Sequence, residues 1–430
     1  IPLSMREALY GMTLLSELPG LWRLSRWYPS RTVAILQLWN TVKNSDKVNI
    51  RLFKPSLGNE ELEAIRDAFE RSWVGLGPRV SEFEKEWARF TGSSMAVGVN
   101  SATAALHLAL AIFRFPEGKK VLVPSLTFSA TASAALYNRL IPVFVDSDPV
   151  TLGMDPDDAE RKYDSDCVAI IPVHYAGHPV EMERIVPWAR SKGLRVVEDC
   201  AHTAGGMYRG KMLGRWGDVG CFSFEEKKLM TTGDGGMMIT DDPELFRDVK
   251  AMRWVGIDKD NWKTSRMYTA ADSDAMHWYY ELNVLGYKYN MNDLAASIGL
   301  VQLKKLPEFN RRRSEIIRLY LDGLRGLEGI EPLLPFEPER YPYQMFGIRT
   351  DRRNEMILYL KSLGIATGCH YTPLSIQPLF SRYSTGCPYI ENEHNRFITL
   401  PLHADLTDYE VGYIIDSIRT FSRHESGADR

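Results

Sequence analysis

Six short apolar runs, rich in β-branched residues and separated by stretches with helical spacing, follow one another through the middle of the chain. They lie at residues 121–123, 143–145, 169–173, 196–197, 219–224 and 237–239. Runs of this length, flanked by Gly or Pro, are typical of buried parallel strands joined by helical crossovers. An α/β layered domain is therefore the architecture that this pattern favours.

The pattern divides the chain into three parts. Residues 1–50 are rich in Trp and Arg and interrupted by Pro, so we expect short helical pieces there. They form an extra packing layer or an upstream extension, with a membrane-surface or partner-docking arm as the alternative, because basic residues mixed with Trp suit an interface. Residues 51–307 are predicted to form a large domain, and residues 308–430 a smaller C-terminal α+β domain.

Within the C-terminal part, several elements can be predicted separately. An apolar helix over 294–306 is expected to end at Pro307, and the polar run 310–313 to open a second helix with a solvated face or a hinge. Strands are expected at 343–349 and 397–400. A closing helix is expected at 408–421.

Composition excludes some functions. The 52 basic and 55 acidic residues give a net charge of −3, which argues against a general nucleic-acid binder. The five cysteines include no C-x-x-C pair, so a reducing cytoplasm is the expected compartment. No stretch approaches the ~20 apolar residues that a membrane span needs.

Two polar groups stand at the ends of predicted strands, where ligands bind in parallel sheets. Asp199 ends one run, and an acid there suits a helix N-cap, a catalytic acid or a partner for a positively charged ring nitrogen. Lys228 lies between a buried run and the glycine-rich turn 232–236. Since most lysines lie on solvated surfaces, Lys228 is a candidate Schiff-base amine, whose pKa enclosure would lower.

These residues belong to two longer motifs. The first is Glu198-Asp199-x-Ala201-His202, and the second runs from Gly214-x-x-Gly217-Asp218 through Phe222-Ser223-Phe224-x-x-x-Lys228 to Thr231-Thr232-Gly233-Asp234-Gly235-Gly236. Together they resemble the DegT/DnrJ/EryC1/StrS family of nucleotide-sugar aminotransferases, which depend on pyridoxal 5′-phosphate (PLP). Segments at 72–78, 124–128, 171–174, 286–293 and 370–374 match in order, so the resemblance extends from about residue 51 to 422.

The resemblance implies the type I fold of PLP enzymes, with a mixed, mostly parallel sheet of seven strands. It also implies roles around the cofactor ring. Lys228 resembles the lysine that joins the cofactor covalently and later moves a proton. Asp199 resembles the carboxylate that keeps the pyridine nitrogen protonated. His202 corresponds to the residue near the ring hydroxyl, and Phe128 to the aromatic that stacks on the ring.

Other positions match the family's phosphate site. Ala102, Thr103 and Ser223 correspond to residues that hold the cofactor phosphate, and the small side chains ahead of an apolar helix would let N–H groups approach an anion. The family forms homodimers whose active sites are shared. Lys288 lies in the segment that reaches the neighbouring subunit's phosphate. Many relatives carry Asn at this position, and a lysine there is expected to contact the phosphate as a point charge.

Substrate residues are implied less directly. His370 and Tyr371 resemble a motif at the sugar site, and His174 is expected in a wall of the sugar pocket. Gln344 stands where a His is common in the family. A metal site at His174 and His178 is not expected, because the loop between them does not present both rings on one helical face.

One position separates two chemistries in the family. Dehydratase members carry His in place of the cofactor lysine, whereas this chain has Lys228. We therefore expect transamination from an amino acid, L-glutamate, to a keto carbon of a nucleotide-linked sugar, a 4-keto-6-deoxyhexose. A C3-keto sugar, a pentose or a cyclitol remains open, as does a noncatalytic PLP-binding regulatory relative.

Overall fold

The computed structural model describes residues 48–258 and 280–423. The arm predicted for residues 1–50 lies almost entirely outside these residues. In the described part, no helix is both long enough and apolar enough to cross a lipid bilayer.

The strands, in chain order, are β1 (Met95–Val99), β2 (Lys120–Pro124), β3 (Ile141–Val145), β4 (Cys167–Ile170), β5 (Arg195–Asp199), β6 (Met207–Tyr208), β7 (Lys211–Met212), β8 (Val219–Ser223), β9 (Gly236–Thr240), β10 (Ile257–Asp258), β11 (Glu281–Leu282), β12 (Glu331–Pro332), β13 (Phe346–Arg349) and β14 (Phe397–Leu400). The α-helices are α1 (Asn59–Glu70), α2 (Pro78–Thr91), α3 (Ala102–Ala111), α4 (Ser129–Tyr137), α5 (Pro156–Lys162), α6 (Met182–Ser191), α7 (Pro243–Met252), α8 (Asp293–Leu324), α9 (Arg353–Ser362), α10 (Pro388–Glu393) and α11 (Asp408–Arg423).

Seven strands form the main sheet, in the order β1-β9-β8-β5-β4-β2-β3. The pairs from β8 to β3 are parallel, as the apolar runs predict. Strand β9 is antiparallel to both of its neighbours, so the prediction of a parallel strand at 237–239 was wrong. The physical reason is that the 12-residue connection from β8 to β9 holds no crossover helix, so the chain reverses direction.

The C-terminal part builds a three-stranded antiparallel sheet, β12-β13-β14. Strand β13 begins at Phe346, three residues after the predicted start, and β14 coincides with its prediction. Helix α11 runs two residues beyond its predicted end.

Helix α8 corrects the prediction of a break at Pro307. It is one helix of 32 residues with the proline inside, and the proposed domain boundary falls within it. A proline removes one backbone hydrogen bond, but Leu306 and Phe309 on either side are buried, and this packing offsets the local cost. The polar run is only partly solvated, because the buried Arg313 donates from Nη1 to the carbonyl of Leu229 at 3.3 Å.

Several polar residues fix where the helices begin. Ser101 caps α3 by accepting from the backbone N–H of Ala104 at 3.1 Å. Asp293, the first residue of α8, accepts from the N–H groups of Gly77, Arg79 and Val80 at 3.0–3.1 Å. The carboxylate of one helix thus satisfies the free N–H groups at the start of α2.

Candidate active site

A pocket of about 370 Å³ lies at the carboxyl ends of the central strands, where parallel sheets bind ligands. Strand β5 ends in it at Asp199, and β8 ends in it at Ser223. Nine of the eleven site residues predicted from the sequence line it: Ala102, Thr103, Phe128, Asp199, His202, Ser223, Lys228, His370 and Tyr371. His174 and Lys288 are not among the lining residues.

Asp199 is the buried acid of the pocket. Its side chain is held by two donors, the hydroxyl of Thr131 at 2.8 Å and the backbone N–H of Ala201 at 3.1 Å. Burial raises the pKa of the carboxyl, while these hydrogen bonds and the charge of Lys228 oppose the rise. A carboxylate held in this way is stabilised by a cationic partner inside the pocket.

Lys228 lies on the short connection after β8 and is partly buried. Its backbone N–H donates to the carbonyl of Glu225 at 2.9 Å. Burial lowers the pKa of the amine, and the charges of Asp199 and Glu225 act in the opposite direction. A lowered pKa increases the fraction of neutral amine, which is the form that attacks a carbonyl.

His202, Tyr371 and Phe128 form the aromatic part of the lining. The rings of His202 and Tyr371 are stacked with centroids 6.3 Å apart, and His202 Nε2 lies 3.3 Å from the Tyr371 hydroxyl. Burial holds the pKa of His202 well below its usual range, and Nδ1 has no hydrogen-bond partner among the described residues. Phe128 is 57% exposed beside Tyr371, a position that is open to a ligand.

The start of α3 offers an anion site. Ala102 and Thr103 are the first residues of the helix, and Ser223 lies near them at the end of β8. Gly236 allows this approach, since a Cβ there would lie 2.5 Å from the Ser101 carbonyl carbon and 2.7 Å from the Ala102 nitrogen. Helix N-termini with free N–H groups favour phosphate.

Sequence reasoning missed six polar residues of the lining as site residues: Ser101, Thr127, Glu225, Lys227, Asp234 and Gln344. Glu225 and Lys227 flank the cofactor lysine in sequence, so their spacing alone could have indicated them. Gln344 was noted only as a departure from the family. It reaches the pocket from the segment before β13, and no local pattern predicts a contact across 117 residues.

His174 does not have the predicted position. It is fully buried behind Asp199, with Nε2 3.2 Å from a carboxylate oxygen of Glu198, and its Nδ1 accepts from the N–H of Val180 at 3.2 Å. Glu198 also accepts from Gly214 and Gly217 at 2.9 and 2.7 Å. Because both ring nitrogens are already hydrogen-bonded, His174 stabilises the carboxyl end of the sheet and does not form a wall of the predicted sugar pocket.

His174, Glu198 and Cys200 place ligand-type atoms within 4.8 Å of one another. The ring nitrogens of His174 and the carboxylate of Glu198 already make hydrogen bonds within the chain. His178 lies apart from them, with its Nδ1 3.1 Å from the Tyr343 hydroxyl.

Lys288 lies outside the pocket of its own chain. Its ammonium is 5.9 Å from the ring centroid of Trp254, and the side chain is exposed. This position leaves it available to a second subunit.

Comparisons with known proteins agree with this geometry. The model of the DegT/DnrJ/EryC1/StrS aminotransferase family matches residues 55–419, and the chain belongs to this family. The dTDP-4-dehydro-2,3,6-trideoxy-D-glucose 4-aminotransferase of Saccharopolyspora spinosa is 34% identical over 380 residues, which cover 87% of this chain and 97% of that protein.

Solved structures extend the comparison. The aminotransferase TlmJ from Streptoalloteichus hindustanus is 32% identical, with a TM-score of 0.79 over 86% of this chain and 98% of that chain. A Streptococcus pneumoniae protein solved in its PLP form is 29% identical, with a TM-score of 0.77 over 87% of this chain and 99% of that chain. The protein is therefore a PLP-dependent aminotransferase with the type I fold.

The residues of the pocket fit PLP. The buried Asp199 suits a protonated ring nitrogen, and His202 Nδ1 has no hydrogen-bond partner among the described residues. Gly236 lets β9 lie against the N-terminus of α3, which would hold the phosphate. Lys228 would supply an amine for the aldehyde of PLP. The aromatic face of Phe128 is free to cover the ring.

Proposed function

We propose that this aminotransferase moves an amino group from L-glutamate to the keto carbon of a nucleotide-linked sugar, a 4-keto-6-deoxyhexose. The observation that carries the proposal is a pocket that combines Lys228 and the buried Asp199 with the uncharged side chains of Gln344, His370 and Tyr371. Neutral donors and acceptors match sugar hydroxyls. The relative from Saccharopolyspora spinosa acts on a dTDP-linked dehydro sugar, which supports the substrate class.

Three residues of the pocket would have separate roles in the reaction. PLP, when bound, withdraws electrons from the substrate carbon that loses or gains a proton. Asp199 would hold the positive charge at the ring nitrogen, and Phe128 would cover one face. Lys228 would hold the cofactor at rest and, once displaced by a substrate amine, carry the proton to and from the reacting carbon.

We further propose that the enzyme is a homodimer in which Lys288 contributes to the neighbouring subunit's phosphate site. Ala102, Thr103 and Ser223 provide neutral groups there, and none of the three carries a cation to balance a phosphate. The exposed Lys288 lies on a segment that is free to supply one.

Two measurements test the function. Glutamate added to the PLP-loaded enzyme should shift the cofactor absorbance as the amino group is taken up, and no shift would favour a noncatalytic binding protein. A panel of nucleotide keto sugars should then be aminated, with the carbon position found by NMR. Amination at C3, or of a cyclitol only, would contradict the proposed substrate.

A further inference from the structure

Gln344 is a buried residue of the pocket whose side-chain amide is hydrogen-bonded at only one end within the described residues. It is 3% exposed, and its backbone N–H is anchored to the carbonyl of Ala176 at 2.8 Å. Gln344 lines the pocket together with His370 and Tyr371.

The orientation of the Gln344 amide is fixed by its neighbour. Nε2 donates to the backbone carbonyl of Lys227, the residue before the cofactor lysine. Because a carbonyl can only accept, the nitrogen must be the end that faces Lys227. The other end, Oε1, is buried without a hydrogen-bond partner among the described residues.

An unpartnered buried acceptor is costly, so its presence at a ligand pocket indicates that a ligand supplies the donor. Two polar neighbours, His370 and Tyr371, are uncharged near pH 7, whereas Glu225, Lys227 and Lys228 also line the pocket. Burial and the charges of Lys228 and Lys227 lower the pKa of His370 to about 4, and burial raises the pKa of Tyr371. An ionised carboxylate has no proton to donate to Oε1, whereas a hydroxyl can donate to it.

We propose that Gln344 Oε1 accepts a hydrogen bond from a ring hydroxyl of the sugar substrate and so determines which sugars are aminated. This assignment deepens the proposed function and rests on it. Gln344 also ties Lys227 in place, so a test must separate ligand recognition from support of the lysine loop.

Gln302 offers the matched control. It is also buried, and its Oε1 accepts from the N–H of Thr231 on the same loop at 3.2 Å. Its Nε2 donates to Ser56 and Glu61 at 2.8 Å, so both ends of this amide are already used, and it does not line the pocket. Loss of loop support would affect both variants, whereas loss of a sugar contact would affect only one.

The experiment compares the PLP-loaded wild type with Gln344→Leu and Gln302→Leu. Two 4-keto sugars, the 6-deoxy and the 2,3,6-trideoxy form, are each offered on dTDP, UDP and GDP, and calorimetry measures binding alongside kcat/KM. We expect Gln344→Leu to lower kcat/KM and affinity for the hydroxylated sugar about 10- to 100-fold, with little change for the trideoxy sugar. Any loss of loop support should slow the glutamate half-reaction in both variants, and Gln302→Leu should not alter the ratio between the two sugars.

Equal losses for both sugars in Gln344→Leu would overturn the assignment, as would a slower glutamate half-reaction with an unchanged sugar ratio. Failure of the proposed function is distinct from these results, because the wild type would then aminate none of the sugars. That result would overturn the Gln344 assignment as well.

Discussion

Burial destabilises the ionised carboxylate of Asp199, and a cation beside it would offset this cost. Its pKa in the folded protein is raised above the ordinary value of 3.8, chiefly by burial. As pH rises, the unfolded chain releases this proton before the folded chain does, so the free energy of unfolding falls between pH 3.8 and the higher folded pKa. When PLP is absent, the full cost is present once the pH exceeds the folded pKa.

Asp199→Asn should therefore stabilise the cofactor-free protein while impairing the enzyme. We expect the variant to melt roughly 2 °C or more above the wild type at pH 7, with the difference shrinking toward pH 4. Turnover should fall about 100-fold or more, because Asn carries no charge to hold the ring nitrogen protonated. Thermal melts across pH and steady-state kinetics check both parts, and a variant that melts no higher at pH 7 would refute the cost assigned to Asp199.

Phe128→Ala should weaken cofactor retention more than it changes the fold. Loss of one stacking face is expected to raise the PLP dissociation constant roughly 3- to 10-fold, since aromatic contacts contribute about 0.5–1.5 kcal/mol. Titration of the cofactor-free protein with PLP measures this change, with circular dichroism as the control for folding. An unchanged dissociation constant would remove Phe128 from the stacking role.

Single residues differed in how far the sequence predicted them. Lys228 and Asp199 could be expected at the pocket because both lie at or after the carboxyl end of a buried strand, and their roles are what the family resemblance implies. From the sequence, Gln344 is only a departure from a family pattern. Its interest comes from an oxygen that lacks a hydrogen-bond partner among the described residues, and a sequence does not show which atoms lack one. His174 was misplaced because spacing does not show which way a ring turns at the end of a strand.

At the level of elements, apolar runs predicted the central parallel strands well, since burial on both faces leaves a continuous apolar signal. The direction of β9 could not be predicted in the same way, because it depends on the connection and not on the strand's own residues. The break predicted at Pro307 failed because packing on both sides of the proline decides whether the helix continues.

Two helix glycines give opposite expectations for the same substitution. A Cβ at Gly299 in α8 would lie 2.7 Å from the ring of the buried Phe83, whereas a Cβ at Gly412 in α11 would have nothing within 4 Å. Gly299→Ala should lower the free energy of unfolding by about 1–3 kcal/mol through overpacking. Gly412→Ala should raise it by about 0.5–1 kcal/mol, because alanine loses less backbone entropy.

Urea denaturation of both variants measures this contrast. A stabilised Gly299→Ala protein would show that α2 and α8 are less tightly packed than the structure describes. The two substitutions add the same methyl group, so any difference between them reports on the surroundings.

At the level of the whole molecule, the shared-site proposal predicts complementation between two impaired variants. Lys228→Ala should retain its fold and lose turnover, and Lys288→Ala should lose part of its activity through weaker phosphate binding. In a mixed dimer, a cross-subunit contact gives one site with both lysines intact. Activity above the sum of the separate variants is therefore expected after the subunits are exchanged.

A contact within one chain would give no such recovery, because each site would still lack one of the lysines. Sedimentation velocity on the wild type provides the control for a dimer. A monomeric active enzyme would contradict the shared site.

The most direct test of the whole account is to reduce the resting, PLP-loaded protein with borohydride and map its peptides. We expect the reduced cofactor label on the peptide that contains Lys228, and no label on that peptide in Lys228→Ala. A label on another lysine, or an unlabelled protein that still binds PLP, would contradict the assignment of Lys228 as the amine that holds the cofactor.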